Sequence, residues 1–220
     1  MIIAIDGPAG AGKSTVSRLL AERLGCVRID TGALYRAVAL AATHAGFAAQ
    51  DAAALEAFVK ALDLRVTQDA VFVNGEDVSG AIRTPEASRA ASDFAALPSV
   101  RAGLMALQRR LGRSAPSVLD GRDIGTVVFP DADAKIYLTA SAQERAKRRL
   151  AELHARGLGG ELAEVLAEIE ARDAQDMNRA IAPLRQAPDA ALVDATSLTL
   201  EGAVDACYLA VQHKLAAGRG

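Results

Sequence analysis

The residues with the clearest chemistry stand near the start of the chain. Gly7-Pro8-Ala9-Gly10-Ala11-Gly12-Lys13-Ser14 matches the pattern G-x-x-x-x-G-K-[ST], and Thr15 follows it. The glycines of such a loop let successive backbone N–H groups point into one concavity, and the helix that follows adds positive potential there. That arrangement holds the phosphates of ATP or GTP. Lys13 reaches the β- and γ-phosphates, and the Ser14 hydroxyl is a ligand for Mg²⁺ together with phosphate oxygens and water. The pattern requires a strand before it and a helix after it. Ile2–Asp6 reads as that strand and Lys13–Leu24 as that helix. No Asn-Lys-x-Asp guanine reader begins at Asn74 or Asn178, and no apolar strand ends in Asp-Glu as in many hydrolysing ATPases. Transfer of a phosphoryl group to a small acceptor is the leading class.

Three further charged clusters suit a second phosphate. Asp30-Thr31-Gly32-Ala33-Leu34-Tyr35-Arg36 follows the second apolar run, with Thr31 expected to cap the next helix through its hydroxyl and Arg36 near that helix's start. Asp120-Gly121-Arg122-Asp123 follows the third core strand, at the carboxyl end where ligands gather in open α/β sheets. Three charges in four positions are costly there without a partner. Arg172, Asp176 and Arg179 are spaced i, i+4, i+7, which puts them on one face of a helix. Each cluster alone also has an ordinary reading: a capped helix with a surface arginine, a solvated turn, a surface ion pair worth ~0.5 kcal/mol. Together they read as phosphate and sugar recognition.

The elements that must position these groups alternate along the chain. Apolar runs at Ile2–Asp6, Val27–Ile29, Val118–Asp120, Lys135–Leu138 and Ala191–Val193 lack strict polar alternation, as strands covered on both faces do. Helical patterns cover Lys13–Leu24, Leu34–Ala45, Ser99–Leu111, Ala142–Ala155, Glu161–Met177 and Gly202–Ala216, and this alternation implies an α/β fold around a parallel sheet. Ser141 and Glu144 form a capping box, and Thr84-Pro85 opens a further helix. Residues 62–95 break the pattern. Two alternating runs and an Asn74-Gly75 turn imply a small antiparallel sheet followed by a helix.

Composition bounds the rest. At 220 residues, 51% hydrophobic and 24% charged, the chain suits one folded domain and excludes intrinsic disorder. A net charge of −2 argues against a general nucleic-acid binder. Arginine outnumbers lysine 20 to 5, which fits either a coding bias or oxyanion binding. Cys26 and Cys207 have no metal or redox spacing and read as free thiols of a reducing compartment. His44, His154 and His213 match no ligand or triad spacing. No apolar run approaches the ~20 residues of a membrane span, and the start of the chain lacks the basic region of a signal peptide, so a cytoplasmic location without membrane contact is expected.

Over nearly its whole length the sequence resembles the bacterial cytidylate kinases, which belong to the nucleoside monophosphate kinase group of P-loop proteins. The resemblance is carried by Gly7–Ser14, by Asp30-Thr-Gly-Ala-Leu-Tyr-Arg36, by Asp120-Gly-Arg-Asp-Ile-Gly-Thr-Val-Val-Phe-Pro130 and by Arg172-Asp-Ala-Gln-Asp-Met-Asn-Arg179. The small sheet near 62–82 is a further likeness. The family usually ends its loop in Gly-Lys-Gly, whereas Ser14 here restores the hydroxyl of the general pattern. The resemblance implies a P-loop kinase with a five-stranded parallel sheet, a small-sheet insertion and a short lid. One domain would span 1–220: a core of about 1–30, 96–150 and 161–220, a monophosphate-binding part of about 31–95, and a lid of about 151–160.

The implied reaction is phosphoryl transfer from ATP to CMP or dCMP, with Mg²⁺, in a monomer that binds nucleotides and no nucleic acid. Lys13, Arg122, Arg172 and Arg179 are the implied catalytic residues. Gly7 through Thr15, with the lid arginines Arg145 and Arg149, would hold ATP. Thr31, Arg36, Ser92, Arg101, Asp120, Arg122, Asp123, Arg172, Asp176 and Arg179 would hold CMP, with Ser92, Arg101 and Asp123 at the base and Asp176 at the ribose. Two alternatives stay open at the level of sequence: a P-loop kinase acting on another monophosphate or on an alcohol, and a nucleotide-gated binding module.

Overall fold

A computed structural model describes residues 1–47, 52–67 and 70–217. Five parallel strands form the central sheet: β1 (Ile2–Asp6), β2 (Val27–Asp30), and three later strands described below. Between β2 and the next core strand lies a separate three-stranded antiparallel sheet of β3 (Leu64–Val66), β4 (Val71–Val73) and β5 (Glu76–Asp77). The core sheet then resumes with β6 (Ser117–Gly121), β7 (Ala134–Thr139) and β8 (Ala191–Asp194), in the order β2-β6-β1-β7-β8. The helices are α1 (Lys13–Leu24), α2 (Thr31–His44), α3 (Ala52–Ala61), α4 (Pro85–Ala95), α5 (Pro98–Arg113), α6 (Ala142–Ala155), α7 (Leu162–Asn178) and α8 (Leu200–Ala217).

Apolar residues face both sides of the sheet, which is why its strands read as near-continuous hydrophobic runs. Ile3 and Ile5 pack with Val16 and Leu20 of α1 and with Cys207 and Val211 of α8. Ala4 and Leu119 pack on the other face with Ile124 and Phe129. The register aligns Asp6 with Gly121 and Asp30 with Asp120, so three strand ends deliver acidic groups to one edge of the sheet. Cys26 and Cys207 are both free.

The small sheet does not stand alone. Val71 and Val73 share a core with Leu55 and Val59 of α3, Phe94 of α4 and Leu104 of α5. Asn74 and Gly75 both take positive φ (51° and 86°), which makes the tight turn between β4 and β5. Helices α6 and α7 form a hairpin with its own small core of Ala146, Val165 and Ile169. The segment 151–160 is the last part of α6, followed by Gly157–Gly160 and the entry to α7.

Two local readings are corrected. The cap of α2 is Asp30, whose carboxylate accepts the Ala33 N–H at 2.9 Å, so the helix starts at Thr31 rather than Leu34. The Thr31 hydroxyl points across the sheet instead and donates to the Asp120 carbonyl at 2.8 Å. Arg179 is not on α7: it is the residue after the last helical turn, in extended backbone (φ −61°, ψ 140°). Helix α3 was not expected from the sequence. Burial of Leu55 and Val59 is what fixes it. Among the described residues, no helix is long and apolar enough to cross a membrane.

Candidate active site

A cleft of about 1250 Å³ opens over the carboxyl ends of β1, β2 and β6. Its floor is the loop between β1 and α1. Gly7 is required by packing: at φ 152°, a Cβ there would lie 1.9 Å from the Leu138 carbonyl oxygen of β7. Gly12, at φ 89°, turns the chain into α1 and caps it without a side chain. The start of α1 therefore faces the cleft as bare backbone. Lys13 is buried, and its ammonium arches back to donate to the Pro8 carbonyl at 2.6 Å. Burial, with the Arg122 guanidinium second, pushes the Lys13 ammonium well below the ordinary lysine range. The side chains of Ser14 and Thr15 are exposed on the cleft floor.

Behind the loop, Asp120 is fixed by Ser17 Oγ at 2.8 Å and by Arg28 Nε at 3.1 Å. Burial, then repulsion from Asp30, pushes the Asp120 carboxyl upward. Asp30 goes the other way. Burial opposes its ionisation, but Arg36, at 3.1 Å, and Arg28, at 3.4 Å, hold it below the ordinary carboxylate range.

The far wall is a lattice of alternating charge. Arg101, 4% exposed, donates to one oxygen of Asp123, and Arg179 donates to the other at 3.3 Å. Burial pushes the Asp123 carboxyl up while both arginines pull against it. Arg179 also lies 3.8 Å from Asp176, and Arg122 Nε donates to Asp176 at 2.7 Å. Burial again opposes ionisation of Asp176, but Arg122 holds it below the ordinary range. Arg172 differs from its neighbours: its buried Nε has no hydrogen-bond partner. Burial, then Arg122, pushes its guanidinium down to about 10. Ser92 lines the same wall. The Arg101 guanidinium also sits 5.7 Å from the centre of the Tyr35 ring.

Of the residues singled out from the sequence, Gly7, Pro8 and Arg145 do not line the cleft, and all the others do. Arg145 is buried beneath the loop. It donates to the Ala9 carbonyl at 3.0 Å and to Ala140 at 2.8 Å, and pairs with Asp173 at 2.6 Å. Arg148 and Arg149 are the α6 arginines that face the cleft. Arg148 is tied to the Ala195 carbonyl at 2.7 Å, and Arg149 pairs only loosely with Glu152 at 3.3 Å.

Three supporting residues are not singled out by the sequence: Asp6, Ser17 and Arg28. Asp6 carried a signal, a charged residue ending an apolar strand directly before the loop. Ser17 and Arg28 carried none, since each looks like an ordinary helix or strand polar residue until the strands are paired.

A phosphate loop at the carboxyl end of the central strand of a parallel five-stranded sheet, facing a wall of arginines, defines a P-loop protein built for phosphoryl transfer. A gluconokinase structure from Sinorhizobium meliloti is similar in fold, with a TM-score of 0.50 at 15% identity, covering 98% of this chain and 93% of that one. The chain belongs to the cytidylate kinase family, whose profile matches residues 3–213. A protein named cytidylate kinase from Syntrophotalea carbinolica is 53% identical over 205 residues, covering 91% of this chain and 87% of its own. Another of the same name, from Geobacter sp. strain M21, is 49% identical over 222 residues, covering 99% and 95%.

Proposed function

We propose that the chain transfers the γ-phosphoryl group of ATP to CMP, and to dCMP as a second substrate, giving ADP and CDP or dCDP. The observation that carries this reading is the Arg101–Asp123–Arg179–Asp176–Arg122 lattice facing the phosphate loop across one cleft. Membership of the cytidylate kinase family supports it. The acceptor is a phosphate monoester with a second pKa near 6, so its oxygen is already ionised at neutral pH and needs no general base. Catalysis then reduces to positioning two anions and stabilising charge. Lys13 and the loop backbone hold the donor. Arg36, Arg122 and Arg179 hold the CMP phosphate, and Arg172, which lines the same cleft, supplies a further cation beside it. These cations offset the repulsion between the two phosphate groups.

Base choice follows from hydrogen-bond polarity. Cytosine offers an N4 amino donor and an N3 acceptor, where uracil has O4 and N3–H. Asp123 accepts from N4, Arg101 donates to the ring acceptors, and Ser92 adds a polar contact. Uracil sets O4 against the carboxylate and is disfavoured. Asp176 takes the ribose hydroxyls.

Among the described residues no cluster of three or more His, Cys, Asp or Glu side chains is arranged to hold a metal ion. The exposed Ser14 hydroxyl would be the protein's own ligand to a Mg²⁺ that arrives with the nucleotide. When bound, it neutralises phosphate charge on the donor. We further propose that 31–95 forms the monophosphate-binding part within one domain, that 151–160 with Arg149 closes over ATP to exclude water, and that the protein works as a cytoplasmic monomer without nucleic-acid or membrane partners. Arg145, held under the loop, supports the ATP site through the Ala9 backbone.

The test is release of ADP from Mg·ATP with CMP, dCMP, UMP, AMP, GMP, a panel of alcohols, and no acceptor. Fast turnover with CMP and dCMP, slower with UMP and little elsewhere is expected. Turnover with an alcohol and none with CMP would overturn the acceptor assignment. Tight nucleotide binding without transfer to any acceptor would instead favour a binding module.

A further inference from the structure

Asp6 is a charged group with no part in the chemistry above. It is the last residue of β1, one position before Gly7, and is 4% exposed. Its two carboxylate oxygens accept the backbone N–H groups of Ile124 and Gly125, each at 2.7 Å. Those donors open the single wide turn Ile124–Val128, and they lie directly after Arg122 and Asp123. The contact is close from the other side too: a Cβ at Gly125 would stand 3.3 Å from Asp6 Oδ2 and 3.1 Å from the Lys135 side chain.

We infer that Asp6 is a positioning residue that locks the acceptor wall to the phosphate loop, fixing where Arg122 and Asp123 point relative to the donor. One residue thus ends the strand that launches the loop and holds the backbone that carries the acceptor's ligands. A carboxylate suits this task and an amide does not. Two adjacent N–H groups need two acceptor oxygens, whereas an asparagine offers one oxygen and sets its own N–H₂ against the second donor. Burying the carboxylate is unfavourable in itself, since burial pushes Asp6 up to about 6 against the pull of those two N–H groups. A group kept at such a cost, two peptides from Asp123, matches a requirement for geometry rather than for stability.

This inference rests on the proposed CMP kinase activity. Asp6→Asn is therefore compared with the unaltered chain by initial rates over a grid of ATP and CMP, by the CMP-to-UMP ratio, and by thermal unfolding. The expected result is a KM for CMP raised about tenfold, the scale of one lost charge-assisted hydrogen bond, with the KM for ATP within about twofold. The CMP-to-UMP ratio of kcat/KM should fall as well. A merely structural role would lower the melting temperature and move both KM values together, or neither, and either pattern overturns the inference. If Asp6→Asn does not fold, Gly125→Ala presses on the same contact from the turn side without changing charge. A raised CMP KM at constant ATP KM in that variant supports the lock, and an unchanged CMP KM overturns it. Absence of CMP turnover in the unaltered chain would instead defeat the kinase reading itself.

Discussion

The two sides of the cleft are made from different material. The proposed donor side is built on a run of consecutive residues, Gly7 to Thr15, whose backbone does most of the binding, with Lys13 as the one cationic side chain of that run. The proposed acceptor side comes from α2, α5, the turn after β6 and the end of α7, and it binds through side chains that also bind one another. A backbone cradle is insensitive to most side-chain changes. A charge lattice is not, because removing one member leaves its partner buried and unpaired. The two sides should therefore fail in different ways.

The largest effect is expected at the one side chain the cradle depends on. Lys13→Ala should lower kcat by about 10³-fold or more while the chain remains folded, because Lys13 acts on charge that develops during transfer. Single-turnover kinetics beside a thermal melt checks this, and an unchanged kcat would remove Lys13 from the mechanism. On the acceptor side, Arg179→Ala should raise the KM for every monophosphate alike by about 10–100-fold, the scale of a lost hydrogen bond to a charged group. Initial rates with CMP, dCMP and UMP report it, and a loss confined to one base would move Arg179 from the phosphate to the base.

Asp176 sharpens the contrast inside the acceptor wall. Asp176→Ala should reduce kcat/KM for CMP about fivefold more than for dCMP, since only the ribose offers the 2′-hydroxyl. Equal losses with both substrates would leave Asp176 as a holder of Arg122 alone.

The smallest effect is in stability against pH, where two buried carboxylates, Asp176 in the cleft wall and Asp6 behind it, oppose each other. Asp176 lies below its ordinary value of 3.8, so its contribution is present above that pH and is lost as pH falls. Asp6 is raised to about 6, so its contribution is greatest below 3.8 and is lost as pH rises through 6. Chemical unfolding between pH 4 and 7 should show Asp6→Asn abolishing a decline across this interval. A variant with the same slope as the unaltered chain would contradict the buried, raised carboxyl.

The same difference in material decided what the sequence could disclose. The phosphate loop is contiguous, so its eight residues were legible as a pattern, and the strand and helix that flank it occupy the expected residues. The five core strands end within one residue of the apolar runs, because burial on both faces writes itself into composition. The acceptor wall is joined only by strand pairing. Ser92 and Arg101 were ordinary helix-surface residues until the family resemblance singled them out, and the structure brings both to the cleft. Asp30 takes the capping role expected of Thr31 because either side chain can cap a helix, and only the pairing of β2 with β6 gives Thr31 the Asp120 carbonyl. Arg145 shared a helix face with Arg149 by spacing, yet sits under the loop because the Ala9 carbonyl and Asp173 claim its guanidinium.

Whether the lattice reads the base is tested most directly by the CMP-to-UMP ratio of kcat/KM in the unaltered chain and in Asp123→Asn. The ratio cancels general damage to the wall. An amide can donate to uracil O4 as readily as it accepts from cytosine N4, so the preference for CMP should shrink by about tenfold or more, the scale of one mismatched polar contact in a buried site. A preference that survives the substitution unchanged would contradict the account and move the base reader elsewhere.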